Sequence, residues 1–416
     1  MINKITSYAK DPLYKNSFFL ILTTFTSSIL GFLFWMFAAR FYSAEDVGVA
    51  TAIVSSMNLL AAFSKLGIDI GLIRFLPEIK NKEDFINSCL TTVFSVSLIL
   101  SIVFVLIVDV FSPALNFLKQ AKFLILFIIF TPSMALIQTQ YNMFIGFRKA
   151  EFSFVQNVTW MLLKMVIVPI FAFLGFFGIF LSWGFSVLLT LLLSLLYLTP
   201  QLYQYSPKPK FNRIVLSRIV HFSFGNYIAG IFNQLPALLL PIITLNILGA
   251  EQSAYFYIAW MIANLLFAIP LATGFSLFAE GSHEQKGLRT KALRSIALVF
   301  TLLTPALIFI LLLGDVVLYL FGEEYLQASL LLKILSLSSI FVSLNVLYIN
   351  VKRIQKRLKP IIIVNCITSA FTIFGSLFLL PKLGISGIGV SWLVAQFTVS
   401  AFVITNAFKE FSKSLE

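Results

Sequence analysis

The ten residues Leu174–Trp183 read LGFFGIFLSW, and the segment Leu383–Trp392, 209 residues later, reads LGISGIGVSW. Six of the ten positions are identical, and both glycines, the serine and the tryptophan keep their spacing. A shift of 206 residues also places Asn58 on Asn264, each followed by two leucines. The chain therefore contains an internal repeat, which indicates two related halves.

The composition is that of a membrane protein. The 416 residues are 59% hydrophobic and 11% charged, with a mean hydropathy of +0.96, whereas soluble domains are about 25% charged. Apolar runs of roughly 20 residues, the length that crosses a hydrocarbon core, recur along the whole chain and predict twelve transmembrane helices. Their expected ranges are 17–41, 47–68, 86–108, 123–146, 152–174, 177–199, 219–248, 252–279, 295–320, 329–351, 360–381 and 385–408.

The basic residues predict the orientation. If both termini are cytoplasmic, only five of the 30 Lys and Arg residues lie at or near the outer ends of the spans, and Lys164 lies deep inside a span. Cytoplasmic loops of membrane proteins carry such an excess of basic residues, and one missed helix would reverse every later loop. We therefore expect an even number of helices near twelve in the cytoplasmic membrane. This topology explains the net charge of +13 without a nucleic-acid partner.

Each half is expected to be a bundle of six helices. The bundles comprise residues 1–199 and 219–416, and a cytoplasmic linker at 200–218 joins them. Because each repeat contains an even number of helices, both enter the membrane in the same sense. The prediction is an all-α fold whose bundles are related by a pseudo-two-fold axis along the membrane normal, with substrate bound between them.

Polar side chains inside apolar spans are costly and therefore mark candidate substrate contacts. Lys164 is expected near mid-bilayer, on the helical face that it shares with Trp160 and Asn157. This face predicts an aqueous cavity with a cation for an anionic substrate group, and a hydrogen bond to a neighbouring helix is the structural alternative. The further candidates, with the same alternative or that of an interfacial anchor, are Arg40, Asn58, Asn157, Asn226, Asn233 and Asn264.

Three charged residues, Lys65, Asp69 and Arg74, stand at the end of the second span. Lys65 and Asp69 have the spacing of an ion pair across one helical turn, and snorkelling to the interface is the simpler role. The 206-residue shift places Arg74 on Glu280 of the other half. Arg74 is therefore a candidate contact for the substrate headgroup, and Arg74 with Glu280 is a candidate inner gate.

No sequence feature predicts an enzyme or a bound cofactor. The two cysteines and the two histidines support neither a disulfide framework nor a metal site. Nucleotide-binding and hydrolase motifs are absent from the sequence. Coupling of transport to H⁺ or Na⁺ is left open.

Two adjacent stretches resemble a known family. The segment Ala39–Gly48, ARFYSAEDVG, and the segment Leu66–Glu78, LGIDIGLIRFLPE, are similar to the polysaccharide-exporter flippases of the multidrug/oligosaccharidyl-lipid/polysaccharide exporter superfamily. The resemblance implies a MATE-like fold and a function in surface-glycan synthesis such as that of O-antigen or capsule. The implied cargo is a polyprenyl-pyrophosphate-linked oligosaccharide, which alternating access moves from the inner to the outer leaflet.

The same resemblance implies membrane lipids, a glycan polymerase and glycosyltransferases as partners. A cation-coupled multidrug exporter of the same superfamily is the alternative function. Such an exporter would use acidic groups within the amino-terminal helices, and Asp69, which stands beside Lys65, is the only acid near a span core there. The flippase is therefore the favoured hypothesis.

Overall fold

The computed structural model describes residues 12–202, 207–283 and 287–412. Within these ranges, twelve helices are long and apolar enough to cross a membrane, which confirms the predicted all-α fold. Both chain termini lie outside the described residues, and their cytoplasmic placement stays a prediction. The twelve helices are α1 Pro12–Phe41, α2 Ala44–Ser64, α3 Lys82–Leu106, α4 Ala121–Gly146, α5 Ala150–Ile170, α6 Phe176–Leu193, α7 Arg213–Leu248, α8 Ala250–His283, α9 Leu288–Tyr319, α10 Ser329–Ile354, α11 Leu358–Leu383 and α12 Ser386–Ser412.

The chain divides into two compact units, residues 1–227 and 228–416. The division falls inside α7, so the first turns of that helix belong to the first unit, and the predicted linker at 200–218 overlaps them. In the first unit, α5 packs against α1 and α6, and α4 packs against α2, α3 and α6. In the second unit, α10 packs against α8, α9 and α12, and α11 packs against α12.

Two helix starts in the first unit are tied together by hydrogen bonds. Ser43 accepts a bond from the backbone N–H of Asp46 at 3.1 Å and caps α2. The carboxylate of Asp46 accepts a bond from the backbone N–H of Phe176, the first residue of α6, at 2.7 Å. The first amides of a helix have no intrahelical partner, so an oxygen acceptor at this point stabilises the start.

The repeated motif has the same local structure in both units. Gly175 and Gly384, which precede α6 and α12, both have φ of +58°, a conformation that glycine adopts without a side-chain clash. In each motif the serine donates to the carbonyl four residues earlier, at 2.7 and 2.8 Å. A second equivalent pair is Arg148 and Lys356, which follow α4 and α10 with φ of +58° and +56°.

The second span ends earlier than its predicted range of 47–68. Helix α2 stops at Ser64, Leu66 and Gly67 have φ of +49° and +79°, and a short helix follows at Ile68–Phe75. A side chain at Gly67 would place its Cβ 2.9 Å from that of Ser223 on α7. Glycine is therefore needed here both for the backbone turn and for the close approach of α7.

Candidate functional site

The first unit contains a polar cavity of about 270 Å³, lined from α4, α5 and the end of α2. Its lining combines amides with one cation and one indole. The lining residues are Lys65, Ile137, Gln138, Tyr141, Asn142, Gln156, Asn157 and Trp160. Polar groups within a membrane-spanning bundle need partners, so this cavity suits water or a polar ligand group.

Hydrogen bonds between helices hold two of the predicted contacts. Gln138 Nε2 donates to Asn58 Oδ1 at 3.1 Å, so Asn58 positions a residue of the lining. Asn157 Oδ1 accepts a bond from Ser27 Oγ on α1 at 2.7 Å, and Asn157 also lines the cavity. The interhelical role and the cavity role are thus combined in Asn157, because its amide retains further donors after that bond.

Lys164 lies one turn beyond Trp160 on α5, and it is 1% exposed. Its Nζ is 4.2 Å from the ring centre of Trp183, 4.5 Å from that of Phe34 and 4.8 Å from that of Trp160. We call these three rings the aromatic box. A cation is attracted to the negative face of such rings, most strongly where water is excluded.

The aromatic box and the first cavity share one wall. Trp160 lines the cavity and also contacts Trp183 edge to face, with ring centres 5.5 Å apart. No ion pair in the described part of the chain includes Lys164. The ammonium of Lys164 is therefore held by aromatic rings one turn from the cavity lining.

The charged cluster after α2 forms two separate ion pairs. Lys65 Nζ lies 3.3 Å from the carboxylate of Asp69, across the break that follows α2. Arg74 pairs with Glu78, and both of these side chains are about half exposed. Arg74 is thus outside the cavity lining, whereas Lys65 brings an ammonium into it. Glu280 is exposed on α8 of the second unit, and the gate stays a prediction.

The second unit contains a cavity of about 250 Å³, lined from α7, α8, α10, α11 and α12. Its lining includes no charged side chain. Asn233 and Asn264, two of the predicted contacts, belong to it. The full set of lining amides and aromatic residues is Asn233, Gln234, Asn264, Asn345, Asn365, Gln396, Phe232, Trp260, Phe267 and Trp392.

Asn345, Asn365 and Gln396 were not among the predicted contacts, and all three line this second cavity. Asn345 Nδ2 donates to Gln396 Oε1 at 2.7 Å, and Ser400 Oγ donates to Asn345 Oδ1 at 3.0 Å. Asn365 Nδ2 donates to the carbonyl of Ala229 at 2.9 Å. A survey of every amide inside an apolar run would have found all three, because each interrupts a predicted span.

Five predicted contacts lie outside both linings, namely Lys164, Asn58, Arg74, Arg40 and Asn226. Arg40 is exposed at the end of α1, and Asn226 is exposed on α7. The structure therefore distributes the predicted residues over two cavities and the surface. Lys65, Gln138 and Gln156 were not among the predicted contacts, yet they line the first cavity.

Solved transporter structures share the fold. The lipid II flippase MurJ in an inward closed conformation matches with a TM-score of 0.75 and 16% identity, covering 93% of this chain and 86% of that one. An inward-facing multidrug resistance MATE family transporter of the MOP superfamily matches with a TM-score of 0.71 and 15% identity, covering 93% and 95%. A MOP-superfamily transporter from Pyrococcus furiosus, whose reversed pocket polarity suggests a different function, has a TM-score of 0.64 and 14% identity, covering 98% of both chains. The protein thus has the twelve candidate spans of a multi-pass membrane protein and a MATE-like fold.

The sequence comparison identifies the family. The profile of the polysaccharide biosynthesis protein family matches residues 37–330, and the chain belongs to that family. An uncharacterized membrane protein of Methanocaldococcus jannaschii is 23% identical over 430 aligned positions, covering 95% of this chain and 84% of the relative. The resemblance to a polysaccharide family found at Ala39–Gly48 and Leu66–Glu78 is confirmed, and the solved structures that share the fold belong to the MOP superfamily.

Proposed function

We propose that the protein is a flippase for a polyprenyl-pyrophosphate-linked oligosaccharide, which it moves from the inner to the outer leaflet. One observation carries this proposal, namely the two lysines at and beside the polar cavity of the first unit. Lys65 lines the polar cavity, and Lys164 lies buried in the aromatic box one turn away. A diphosphate cannot enter a membrane unpaired, and charge-assisted hydrogen bonds to ammonium groups stabilise it.

Membership of the polysaccharide biosynthesis family supports a lipid-linked glycan as the cargo. The polyprenyl tail can stay in the lipid while the headgroup passes through polar space, so the tail keeps its apolar surroundings throughout. We infer that alternating access drives the transfer, with both termini cytoplasmic. A glycan polymerase and glycosyltransferases are the partners that such a cargo requires, before and after its transfer.

The test is leaflet reorientation in proteoliposomes. A fluorescent undecaprenyl diphosphate disaccharide is placed in both leaflets, and an outside quencher reports how fast the inner pool becomes accessible. Wild type is expected to exceed protein-free vesicles, and Lys65→Gln and Lys164→Gln are each expected to slow the reaction at least about tenfold, because each removes a charged partner. Lys359→Gln, an exposed lysine on α11 outside both linings, is the matched control.

The second candidate is a cation-coupled multidrug exporter, which the match to MATE family structures favours. A cationic drug would need a free carboxylate, whereas the carboxylate of Asp69 at the first cavity is already paired with Lys65 at 3.3 Å. Proton- or sodium-driven efflux of an organic cation, together with no reorientation of the lipid probe, would replace the flippase by this exporter. If Lys65→Gln and Lys164→Gln both reorient the probe as fast as the control Lys359→Gln, neither lysine takes part in moving the cargo.

A further inference from the structure

We infer that the cavity of the second unit is a saccharide subsite that selects uncharged sugars. The inference rests on the proposed function and names the part of the cargo that this cavity takes. Its lining combines six amide side chains with four aromatic ones and contains no carboxylate, ammonium, guanidinium or imidazole group. Such a lining recognises neutral polar groups by hydrogen bonds and apolar faces by ring contact.

The amides offer both donors and acceptors to a ligand. Gln396 accepts a bond from Asn345 at 2.7 Å, and the hydrogen bonds of the described residues leave Gln396 Nε2 without a protein partner. Asn264 and Asn365 donate to backbone carbonyls, at 2.7 and 2.9 Å, and keep their Oδ1 atoms as acceptors. A sugar hydroxyl both donates and accepts hydrogen bonds, so it can bind to the amide N–H donor and to the amide oxygen acceptors of this lining.

The aromatic residues supply the second part of a sugar site. The rings of Trp260 and Trp392 meet edge to face, 4.9 Å apart at an interplanar angle of 72°. The C–H face of a pyranose ring is apolar and packs on such surfaces. Trp392 is 8% exposed, and its Nε1–H has no hydrogen-bond partner among the described residues. A buried indole N–H without a partner is costly, and a ligand hydroxyl would satisfy it.

Selection against charged sugars follows from the lining. A uronic acid would bring a carboxylate into a cavity within the membrane that offers it no cation, and an unpaired charge in such surroundings is strongly disfavoured. A neutral hexose, which has a hydroxymethyl group at the same position, carries no such penalty. The second unit therefore discriminates between glycans that differ in a single oxidised carbon.

The experiment compares two cargoes that differ only in this group. Undecaprenyl diphosphate carries either glucosyl-glucose or glucuronosyl-glucose, and reorientation rates are measured for both in the same proteoliposomes. Wild type is expected to move the neutral cargo at least about tenfold faster. Asn233→Arg, which adds a cation to an exposed lining position, is expected to reduce this ratio at least about threefold by pairing with the carboxylate.

Asn226→Arg is the matched control, because it is an exposed asparagine on the same helix outside the lining. It is expected to leave the ratio of the two rates unchanged. Equal rates for both cargoes in wild type, with no effect of Asn233→Arg, would overturn the saccharide subsite while the flippase function stands.

A separate binding measurement covers the case in which neither cargo reorients. Free glucosyl-glucose is added to the protein in nanodiscs, and tryptophan fluorescence is recorded for wild type and for Asn264→Leu. A saturable signal that glucuronosyl-glucose does not reproduce, and that Asn264→Leu weakens, supports the subsite even where the flippase proposal has failed. The absence of any saturable signal in wild type overturns the inference.

Discussion

The polar cavity of the first unit and the amide-lined cavity of the second are similar in size and differ in electrostatic character. The first, of about 270 Å³, has the ammonium of Lys65 in its lining, whereas the second, of about 250 Å³, is lined by amides and aromatic rings without a charge. The backbone of the repeat is retained in both units, as Gly175 and Gly384 show with φ of +58°. The difference teaches that the repeat preserved the scaffold and changed the polar groups placed on it.

Two tryptophans at equivalent positions of the repeat have different surroundings in the two units. Trp183 and Trp392 occupy the same position in the repeated motif, are 6% and 8% exposed, and each has an Nε1–H without a partner among the described residues. Trp183 faces the ammonium of Lys164 at 4.2 Å, whereas Trp392 has the ring of Trp260 at 4.9 Å. The same indole therefore contributes to a cation site in one unit and to an uncharged cavity wall in the other.

The largest expected effect is on transport through the first unit. Lys164→Met keeps the length of the side chain and removes its charge, so we expect reorientation of the lipid probe to fall about a hundredfold, the upper range for a lost charged partner. Thermal stability should stay equal or rise, because replacing a buried charge by an apolar group is often neutral or stabilising. Reorientation rates and thermal unfolding of the purified protein measure the two effects. An unchanged reorientation rate would show that the charge of Lys164 does not contribute to transport.

The next effect compares the two tryptophans. Trp183→Leu is expected to destabilise the protein by about 2 kcal/mol more than Trp392→Leu, because only Trp183 holds a desolvated cation. The double variant Trp183→Leu with Lys164→Met should recover most of this difference, as expected for residues that interact directly. Denaturant unfolding of all four variants measures the coupling. Equal losses for the two single variants would mean that the cation contributes nothing to the stability of the aromatic box.

A smaller effect tests the scaffold that the units share. Gly175→Ala places a Cβ 2.7 Å from Asp46 Oδ1, while Gly384→Ala meets no atom within 4 Å. Both substitutions force a positive φ on alanine, but only the first also disturbs the cap that Asp46 provides to α6. We therefore expect Gly175→Ala to cost about 1 kcal/mol more in unfolding free energy, the typical value of a helix cap. A larger loss for Gly384→Ala than for Gly175→Ala would show that the close approach of Gly175 to Asp46 is not needed for the cap.

The smallest effect concerns the predicted gate. Arg74 and Glu78 form an exposed i, i+4 pair, so Arg74→Gln should change the free energy of unfolding by less than about 0.5 kcal/mol. If Arg74 is a gate residue, its substitution should slow reorientation of the lipid probe although it hardly changes the free energy of unfolding. Recovery of reorientation by Arg74→Glu combined with Glu280→Arg, where each single variant is slow, would establish the gate. Failure of the exchanged pair would leave Arg74 with its local partner.

The membrane spans were predictable because the bilayer imposes length and apolarity on each segment locally. The predicted range 329–351 and the helix Ser329–Ile354 begin at the same residue. The range 47–68 runs past the end of α2, because the positive φ at Leu66 depends on backbone packing rather than on residue type. The sequence repeat also did not reveal that the turns at Arg148 and Lys356 are equivalent, since their neighbouring residues differ between the halves.

The candidate sites were predictable only in part. Polarity inside an apolar run singled out Asn157 and Asn264, which do line cavities, and also Asn226, which does not. Asn345 and Gln396, which were not singled out, are hydrogen-bonded across 51 residues of sequence. Such partners lie on different helices, and no local pattern reveals them.

By itself, the sequence determined a helical membrane protein with twelve spans, an internal repeat and a few buried polar groups, because the hydrocarbon core acts on every span separately. Only the tertiary structure decided which of these groups share a cavity and which of the two cavities has a charged side chain in its lining. Lys164 shows the reason, since the rings of Phe34 and Trp183 that surround it come from α1 and α6. Contacts between distant helices, rather than residue type, separate the first cavity, which Lys65 lines, from the second cavity, which has no charged lining residue.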